Sequence, residues 1–244
     1  MERSKCICLI LIWWFPLLLS GSHKEIIYRA YVRNDMVMWQ QTMVRMAASS
    51  SLSIDDKMEL LNYYYGYIGW AIGKMRTDEA SQYLDDAWEL LEKLEAQNVY
   101  PSMTSAYRSA FYGFAIGLSN YKAPFYGPRS ITSVKKALAM DSLNWFATMQ
   151  YAHVLYYMPE IFGGSKTQAL SLYVRSEQIY ESNDFIAGDW NYLNLLVTIG
   201  RVYDEMNNLA QARRYYEKAM FVEPQFWWVK EKLYPELLKR IAPQ

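Results

Sequence analysis

Few residues in this sequence have the chemistry of a catalytic or metal-binding side chain. The histidines are His23 and His153, and both cysteines, Cys6 and Cys8, lie in an apolar stretch near the amino terminus. One internal histidine without cysteine partners does not supply the ligands of a zinc site, and no nucleophile-elbow motif is present. The sequence therefore predicts no enzyme activity, no metal site and no cofactor.

The stretch Gly163-Gly164-Ser165-Lys166 comes nearest to a phosphate-binding loop. A Walker motif needs a glycine, four residues and then Gly-Lys-Ser/Thr, after a buried strand. Here the lysine follows a serine, the first glycine is missing, and no strand pattern precedes the segment. The pattern therefore does not indicate nucleotide binding.

The same stretch instead predicts an enlarged turn over residues 159–165. Pro159 would end the preceding helix, the glycine pair allows unusual backbone angles, and Ser165 can cap the next helix. We expect a matching turn over residues 123–130, which contain Pro124, Gly127, Pro128 and a capping Ser130. Turns of this kind on one edge of a fold often carry function.

The totals exclude several classes of protein. The formal net charge is zero and no basic run is present, so the sequence gives no electrostatic sign of nucleic-acid binding. With 52% apolar residues in 244, the chain is long enough to bury a sizeable core.

The amino terminus predicts a secretory signal peptide over residues 1–22. Arg3 and Lys5 precede an apolar run over residues 6–19, and small residues follow it. The run is about 14 residues long, shorter than the roughly 20 that span a bilayer, although an uncleaved inner-membrane anchor stays an alternative. We therefore expect an exported protein, periplasmic after cleavage, with residues 23–244 as one domain free of cysteine.

Helical spacing of apolar residues dominates the rest of the sequence. Between residues 77 and 97 an apolar stripe recurs every three or four positions, at Ala80, Leu84, Ala87, Leu91 and Leu94. The adjacent carboxylates Asp85 and Asp86 point about 100° apart on such a helix. They therefore indicate a solvated face rather than acid–base chemistry.

Residues 194–225 carry the clearest repeat unit. Its ordered side chains are Leu196, Ile199, Gly200, Tyr203, Ala212, Tyr216, Ala219 and Pro224. This order and spacing resembles the tetratricopeptide repeat (TPR), in which two antiparallel helices cross closely at small residues. Asn207-Asn208 would turn the chain between the helices.

The small residue of the second helix recurs at Ala87, Ala137, Ser176 and Ala219, at intervals of 39 to 50 residues rather than the regular 34. The chain resembles exported bacterial TPR-like solenoid proteins over about residues 58–225. The resemblance implies an all-α fold, a TPR-like α-solenoid of about four helix pairs, with an extra N-terminal helix and a C-terminal capping helix.

Two further segments refine this expectation. Residues 24–48 predict a single N-terminal helix, and Pro235 would kink or restart the terminal helix. Within the helix that begins after residue 53, the glycines lie on one face, where a neighbouring helix could approach closely: Gly66, Gly69 and Gly73.

TPR proteins bind extended peptides or partner proteins along the concave face formed by the first helices. By that resemblance, the binding positions in the last unit would include Asn194, Arg201 and Asp204, and those in earlier units would be His153, Gln150 and Arg108. The lysine and asparagine set of a peptide-carboxylate clamp is not found. The function implied is a non-catalytic periplasmic scaffold for a protein or peptide partner.

The alternative is a small-molecule binding protein. The long turns and aromatic helices also loosely resemble the TPR-like periplasmic component of some tripartite solute transporters, whose helices enclose a ligand cavity. Aromatic rings could then stack on an apolar or sugar-like ligand, with Tyr64, Trp70, Tyr112, Trp145 and Tyr157 as the candidates. An open polar groove would favour a peptide partner, and a closed aromatic cavity would favour a small ligand.

Overall fold

The computed structural model describes residues 22–182 and 188–241, and these residues form an all-α fold. The helices are α1 (His23–Arg33), α2 (Met36–Ala47), α3 (Ile54–Gly73), α4 (Thr77–Ala96), α5 (Pro101–Leu118), α6 (Ala123–Met140), α7 (Trp145–Tyr157), α8 (Lys166–Glu181), α9 (Trp190–Glu205), α10 (Leu209–Val222) and α11 (Tyr234–Ile241). Within these ranges no strand is present, which confirms the predicted fold class.

Successive helices pack as antiparallel pairs: α1–α2, α3–α4, α5–α6, α7–α8 and α9–α10. Each pair also packs against the next, and α5 contacts both α3 and α7. The first helices therefore line one side of the array, as in a helical solenoid. The pairs from α3–α4 to α9–α10 are the four that the sequence predicted.

The recurring small residues lie where the helices of a pair cross. Ala87, Ala137, Ser176 and Ala219 are all completely buried. At Gly200 an added Cβ would lie 2.5 Å from a ring carbon of Tyr216, so α9 and α10 approach too closely there for a side chain. The prediction that small residues let the paired helices nest is confirmed.

The N-terminal region forms two helices where the sequence predicted one over residues 24–48. Asn34 adopts a left-handed backbone conformation with a φ of 57°, and the Asp35 carboxylate accepts a hydrogen bond from the Met38 amide at 3.0 Å. Asparagine at a helix end and aspartate at a helix start are the residues that these positions favour. The resulting α1–α2 pair extends the array, and α1 also contacts α9.

The enlarged turn predicted over residues 159–165 is present. Gly163 has a φ of 98°, and a Cβ on Gly164 would lie 1.8 Å from a backbone carbonyl oxygen, so this turn requires both glycines. The Ser165 hydroxyl accepts a hydrogen bond from the Gln168 amide at 3.3 Å and caps α8.

The prediction of a matching loop over residues 123–130 is wrong, because these residues form the first two helical turns of α6. Pro124 lies in the first turn, where the missing N–H costs nothing, and Pro128 removes one hydrogen bond from the helix. Ser130 does not cap a helix. It is buried and donates to the Ser109 carbonyl oxygen at 2.9 Å, which joins α6 to α5.

The C-terminal segment covers the last pair. A π-helical turn over Val229–Leu233 leads into α11, and Pro235 is the second residue of α11. The proline thus restarts a helix at a position where it is tolerated. Phe226 and Leu237 are buried in the same core cluster as residues of α9 and α10.

The predicted signal peptide lies outside the described residues except for Ser22, whose hydroxyl accepts from the Glu25 amide and caps α1. The alternative anchor over residues 6–19 lies outside them as well. Among the helices of the described ranges, none combines the length and the apolar character needed to cross a bilayer.

Candidate binding site

The inner face of the array, formed by α3, α5, α7 and α9, is filled with aromatic side chains. Tyr65 of α3 contacts a ring from each of the other three helices. The centroid distances are 6.2 Å to Tyr107, 5.1 Å to Phe146 and 6.4 Å to Trp190. All four side chains are buried, so this part of the inner face is core and not an open groove.

The N-terminal pair completes the closure of the inner face. Trp39 of α2 donates from Nε1 to the Tyr63 carbonyl oxygen at 3.1 Å, and its ring lies 5.0 Å from that of Trp190 of α9. Tyr31 of α1 donates to Asn194 Oδ1 at 3.1 Å. The first pair therefore contacts the last, and the chain itself covers the inner face.

Gln150 and His153, two of the predicted partner-binding residues, belong to a polar network in this core. The Gln150 amide donates to the Tyr65 hydroxyl at 3.0 Å. One ring nitrogen of His153, Nδ1, lies 2.6 Å from the Tyr173 hydroxyl, and the other, Nε2, lies 3.5 Å from that of Tyr65. In the described ranges no three or more His, Cys, Asp or Glu side chains are placed to hold a metal ion.

Protonation of His153 is expected to destabilise the fold at acid pH. His153 is half-buried, both of its ring nitrogens face buried tyrosines, and burial lowers the pKa of His153 from 6.5 to about 4. Between these pH values His153 binds more protons in the unfolded chain than in the folded one. The contribution of neutral His153 to the free energy of unfolding is therefore complete above pH 6.5. It is lost as the pH falls toward 4, by up to about 1.4 kcal/mol per pH unit.

Urea unfolding of the wild type and of His153→Gln at pH 7 and pH 5 measures this effect. Other titrating groups are common to both proteins, so the variant is expected to lose less stability between the two pH values. Equal losses in the two proteins would contradict the assignment to His153.

The three predicted positions on α9 are also occupied by the chain itself. Tyr31 contacts Asn194, as described, and the Arg201 guanidinium lies 5.9 Å above the Trp228 ring. Asp204 forms an ion pair with Arg240 of α11. The N-terminal and C-terminal segments thus contact the residues at which a TPR-type partner was predicted.

The five rings predicted to enclose an aromatic cavity are not brought together in the described part of the chain. Tyr64 packs on Tyr83, Trp70 on Tyr67, Tyr112 on Trp88 and Tyr126, Trp145 on Tyr180, and Tyr157 on His153. Tyr64, Tyr112 and Trp145 thus pack against rings of neighbouring helices, whereas Trp70 and Tyr157 pack against rings of their own helices. Trp145 alone among the five also lines one of the two clefts described next.

An apolar cleft lies where the turn before α5 meets the turn before α7. Its volume is about 480 Å³, within the range of small-molecule sites. The Asn144 side-chain amide donates a hydrogen bond of 2.8 Å to the Ser102 hydroxyl, which joins the two walls of the cleft. The lining residues are Tyr100, Pro101, Ser102, Met103, Met140, Asp141, Leu143, Asn144, Trp145, Ile179 and Ser182.

A smaller polar cleft of about 220 Å³ adjoins it, since Pro101 lines both. It contains Arg108, which pairs with Glu95. The hydrogen bond to Glu95 is the main cause that raises the pKa of Arg108. Lys136 is exposed and forms no ion pair with the described residues. The other lining residues are Asn98, Thr104, Ser105 and Ser133.

Of the residues that line the apolar cleft, only Trp145 was predicted from the sequence. Met103 and Met140 lie at helix ends and were not distinguished from core residues. Leu143 gave a usable signal, because an apolar residue between Asp141 and the capping Asn144 stands in an otherwise polar turn. Leu143 is 66% exposed. A residue of the core would be buried, so this exposure is consistent with a binding surface.

The chain matches no protein-family profile, and no curated protein is similar to it in sequence. Its fold is similar to the solved structure of the HusA haemophore from Porphyromonas gingivalis, with a TM-score of 0.58 and 20% sequence identity. The match covers 77% of this chain and 96% of the haemophore chain. At this level of identity the likeness shows a shared helical fold.

Proposed function

We propose that this protein is an exported, non-catalytic binding protein that holds a planar, largely apolar molecule of the tetrapyrrole class in the apolar cleft. The observation that carries the proposal is that the apolar cleft and the polar cleft lie side by side and share Pro101 as a lining residue. An apolar ring system would lie against Met103 and Leu143, and a carboxylate at its edge would reach Lys136 in the polar cleft.

The chemistry of the apolar cleft suits such a ligand. Methionine side chains are flexible and polarisable and adapt to flat ring systems, and the indole of Trp145 offers a surface for stacking. Methionine and tyrosine are also among the side chains that ligate haem iron, and Met103, Met140 and Tyr100 all line the cleft.

One structural neighbour and the buried inner face support this class of ligand over an extended peptide. A solved structure that shares the fold is that of a haemophore. The inner face, where a TPR protein would hold a peptide, contains buried rings such as Tyr65 and Trp190. The apolar stretch over residues 6–19 supports export.

Titration with haem tests the proposal, with the chain from Ser22 onward followed by Soret absorbance and by quenching of tryptophan fluorescence. Leu143→Glu is expected to weaken binding by about tenfold or more, because it removes an apolar contact and adds a charge to the apolar wall. Lys136→Glu is expected to weaken binding by about fivefold or more through loss of the carboxylate partner.

Two matched variants serve as controls. Phe221→Glu replaces an apolar residue that is 87% exposed on α10, and Lys135→Glu reverses the neighbouring charge outside both clefts. Neither should change the affinity for haem. If haem does not bind, or if the control variants weaken binding as much as the cleft variants, the proposal is wrong.

A further inference from the structure

A second surface of the molecule exposes large apolar side chains in water. They lie at the turns that connect the helices within successive pairs, the ends opposite to the apolar cleft. These residues are Met75, Tyr121, Phe125, Tyr157, Ile161 and Phe162, each 71–86% exposed. We call them the turn edge. Exposed residues of this size at adjacent turns indicate an interaction surface.

Contacts between neighbouring pairs place these turns side by side. A Cβ on Gly117, at the end of α5, would lie 4.0 Å from the Ile72 side chain at the end of α3. The ammonium of Lys166, at the start of α8, lies 3.2 Å from Glu205 at the end of α9. Because the pairs stack in order, the turns after α3, α5 and α7 share one edge of the array.

The charges on the turn edge are mainly positive. Lys74 and Lys122 stand within the turns and form no ion pair with the described residues, whereas Lys166, directly after the third turn, is paired with Glu205. The acidic residue within these turns is Glu160. The complementary surface is therefore apolar at its centre and negatively charged.

We propose that the turn edge docks on an anionic membrane surface. The exposed apolar side chains come from three separate connections and the helix ends beside them, so a deformable apolar layer can accept all of them at once. A protein partner would need a separate pocket for each of them. Phenylalanine and isoleucine would enter the acyl boundary, while tyrosine and lysine lie at the level of the headgroups.

This inference is independent of the tetrapyrrole proposal, because the turn edge and the apolar cleft lie at opposite ends of the helices. Loss of haem binding with vesicle binding intact, or the reverse, would therefore separate the two. Docking through the turn edge would leave the apolar cleft facing away from the membrane, open to solvent.

Co-sedimentation with vesicles tests the inference. The chain from Ser22 onward, which contains the whole helical array and lacks the apolar stretch over residues 6–19, is mixed with vesicles of phosphatidylcholine alone or of equal parts phosphatidylcholine and phosphatidylglycerol. We expect binding to the anionic vesicles that weakens with salt. Phe125→Ser with Phe162→Ser should lower the partition coefficient by about tenfold or more.

The control is Phe221→Ser, at a phenylalanine of α10 that is 87% exposed and lies away from the turn edge, and this variant should bind as the wild type does. Circular dichroism checks that the variants keep their helices. Failure to bind anionic vesicles would overturn the inference, as would an equal loss in the control. Self-association of the wild type in sedimentation velocity that the double variant abolishes would overturn it in favour of a second copy as the occupant.

Discussion

Substituting alanine for Gly66 is expected to lower the free energy of unfolding by about 2–4 kcal/mol. A Cβ there would lie 2.7 Å from ring carbons of both Trp39 and Trp190, and both indoles are buried. The rings hold one another in a T-shaped contact, so neither can move without disturbing the closure between the first and last pairs. Overpacking of this kind outweighs the roughly 1 kcal/mol by which alanine favours a helix.

The control for this prediction is Gly113→Ala, in the middle of α5. Outside the backbone of α5 itself, no heavy atom lies within 4 Å of the added Cβ, so the better helix propensity should raise the free energy of unfolding by about 0.5–1 kcal/mol. Urea denaturation followed by circular dichroism measures both variants. If Gly66→Ala is as stable as Gly113→Ala, the close contact of α2, α3 and α9 is not as described.

Replacing Lys218 by methionine is expected to lower the free energy of unfolding by about 2–3 kcal/mol. The Lys218 ammonium lies 2.5 Å from carboxylate oxygens of both Glu177 and Glu181. Burial lowers the pKa of Lys218, but the hydrogen bonds to these carboxylates outweigh it and raise the pKa overall. Glu177 is buried, so the variant would leave its charge without a cation, although the Tyr215 hydroxyl still donates to it.

The matched comparison is Lys93→Met, which breaks an ion pair with Glu89 that is exposed on both sides. This change should cost less than about 0.5 kcal/mol. The double variant Glu177→Gln, Lys218→Met should recover part of the loss, because it removes the buried Glu177 charge together with its cation. Equal effects of Lys93→Met and Lys218→Met in urea denaturation would contradict a structural role for the Glu177–Lys218 ion pair.

The local features of the fold could be predicted from the sequence because they rest on neighbouring residues. Small residues such as Gly200 mark the helix crossings, and Gly163 with Ser165 marks the long turn before α8. The break at Asn34-Asp35 was missed although its capping residues are visible, because the apolar spacing runs on across it. The start of α6 was predicted wrongly because its two prolines were taken as signs of a turn. Pro124 lies in the first turn of the helix, where proline is favourable, and Pro128 removes only one hydrogen bond of the helix.

The closure of the inner face could not be predicted in the same way. The closure depends on how strongly the array of helix pairs curves. That curvature brings Trp39 into contact with Trp190, which is far from it in the sequence. The periodicity of one helix does not encode that curvature. Asn194, Arg201 and Asp204 lie on the first helix of their pair, as predicted. Their side chains already contact other parts of the chain, which the repeat pattern does not reveal; the contacting residues are Tyr31, Trp228 and Arg240.

Hydrogen–deuterium exchange with and without haem tests the proposed site most directly. We predict that haem slows exchange in residues 100–104 and 140–146, which carry walls of the apolar cleft, and leaves residues 190–204 of α9 unchanged. Protection confined to α9 and α1 would instead place the ligand on the inner face and contradict binding in the apolar cleft.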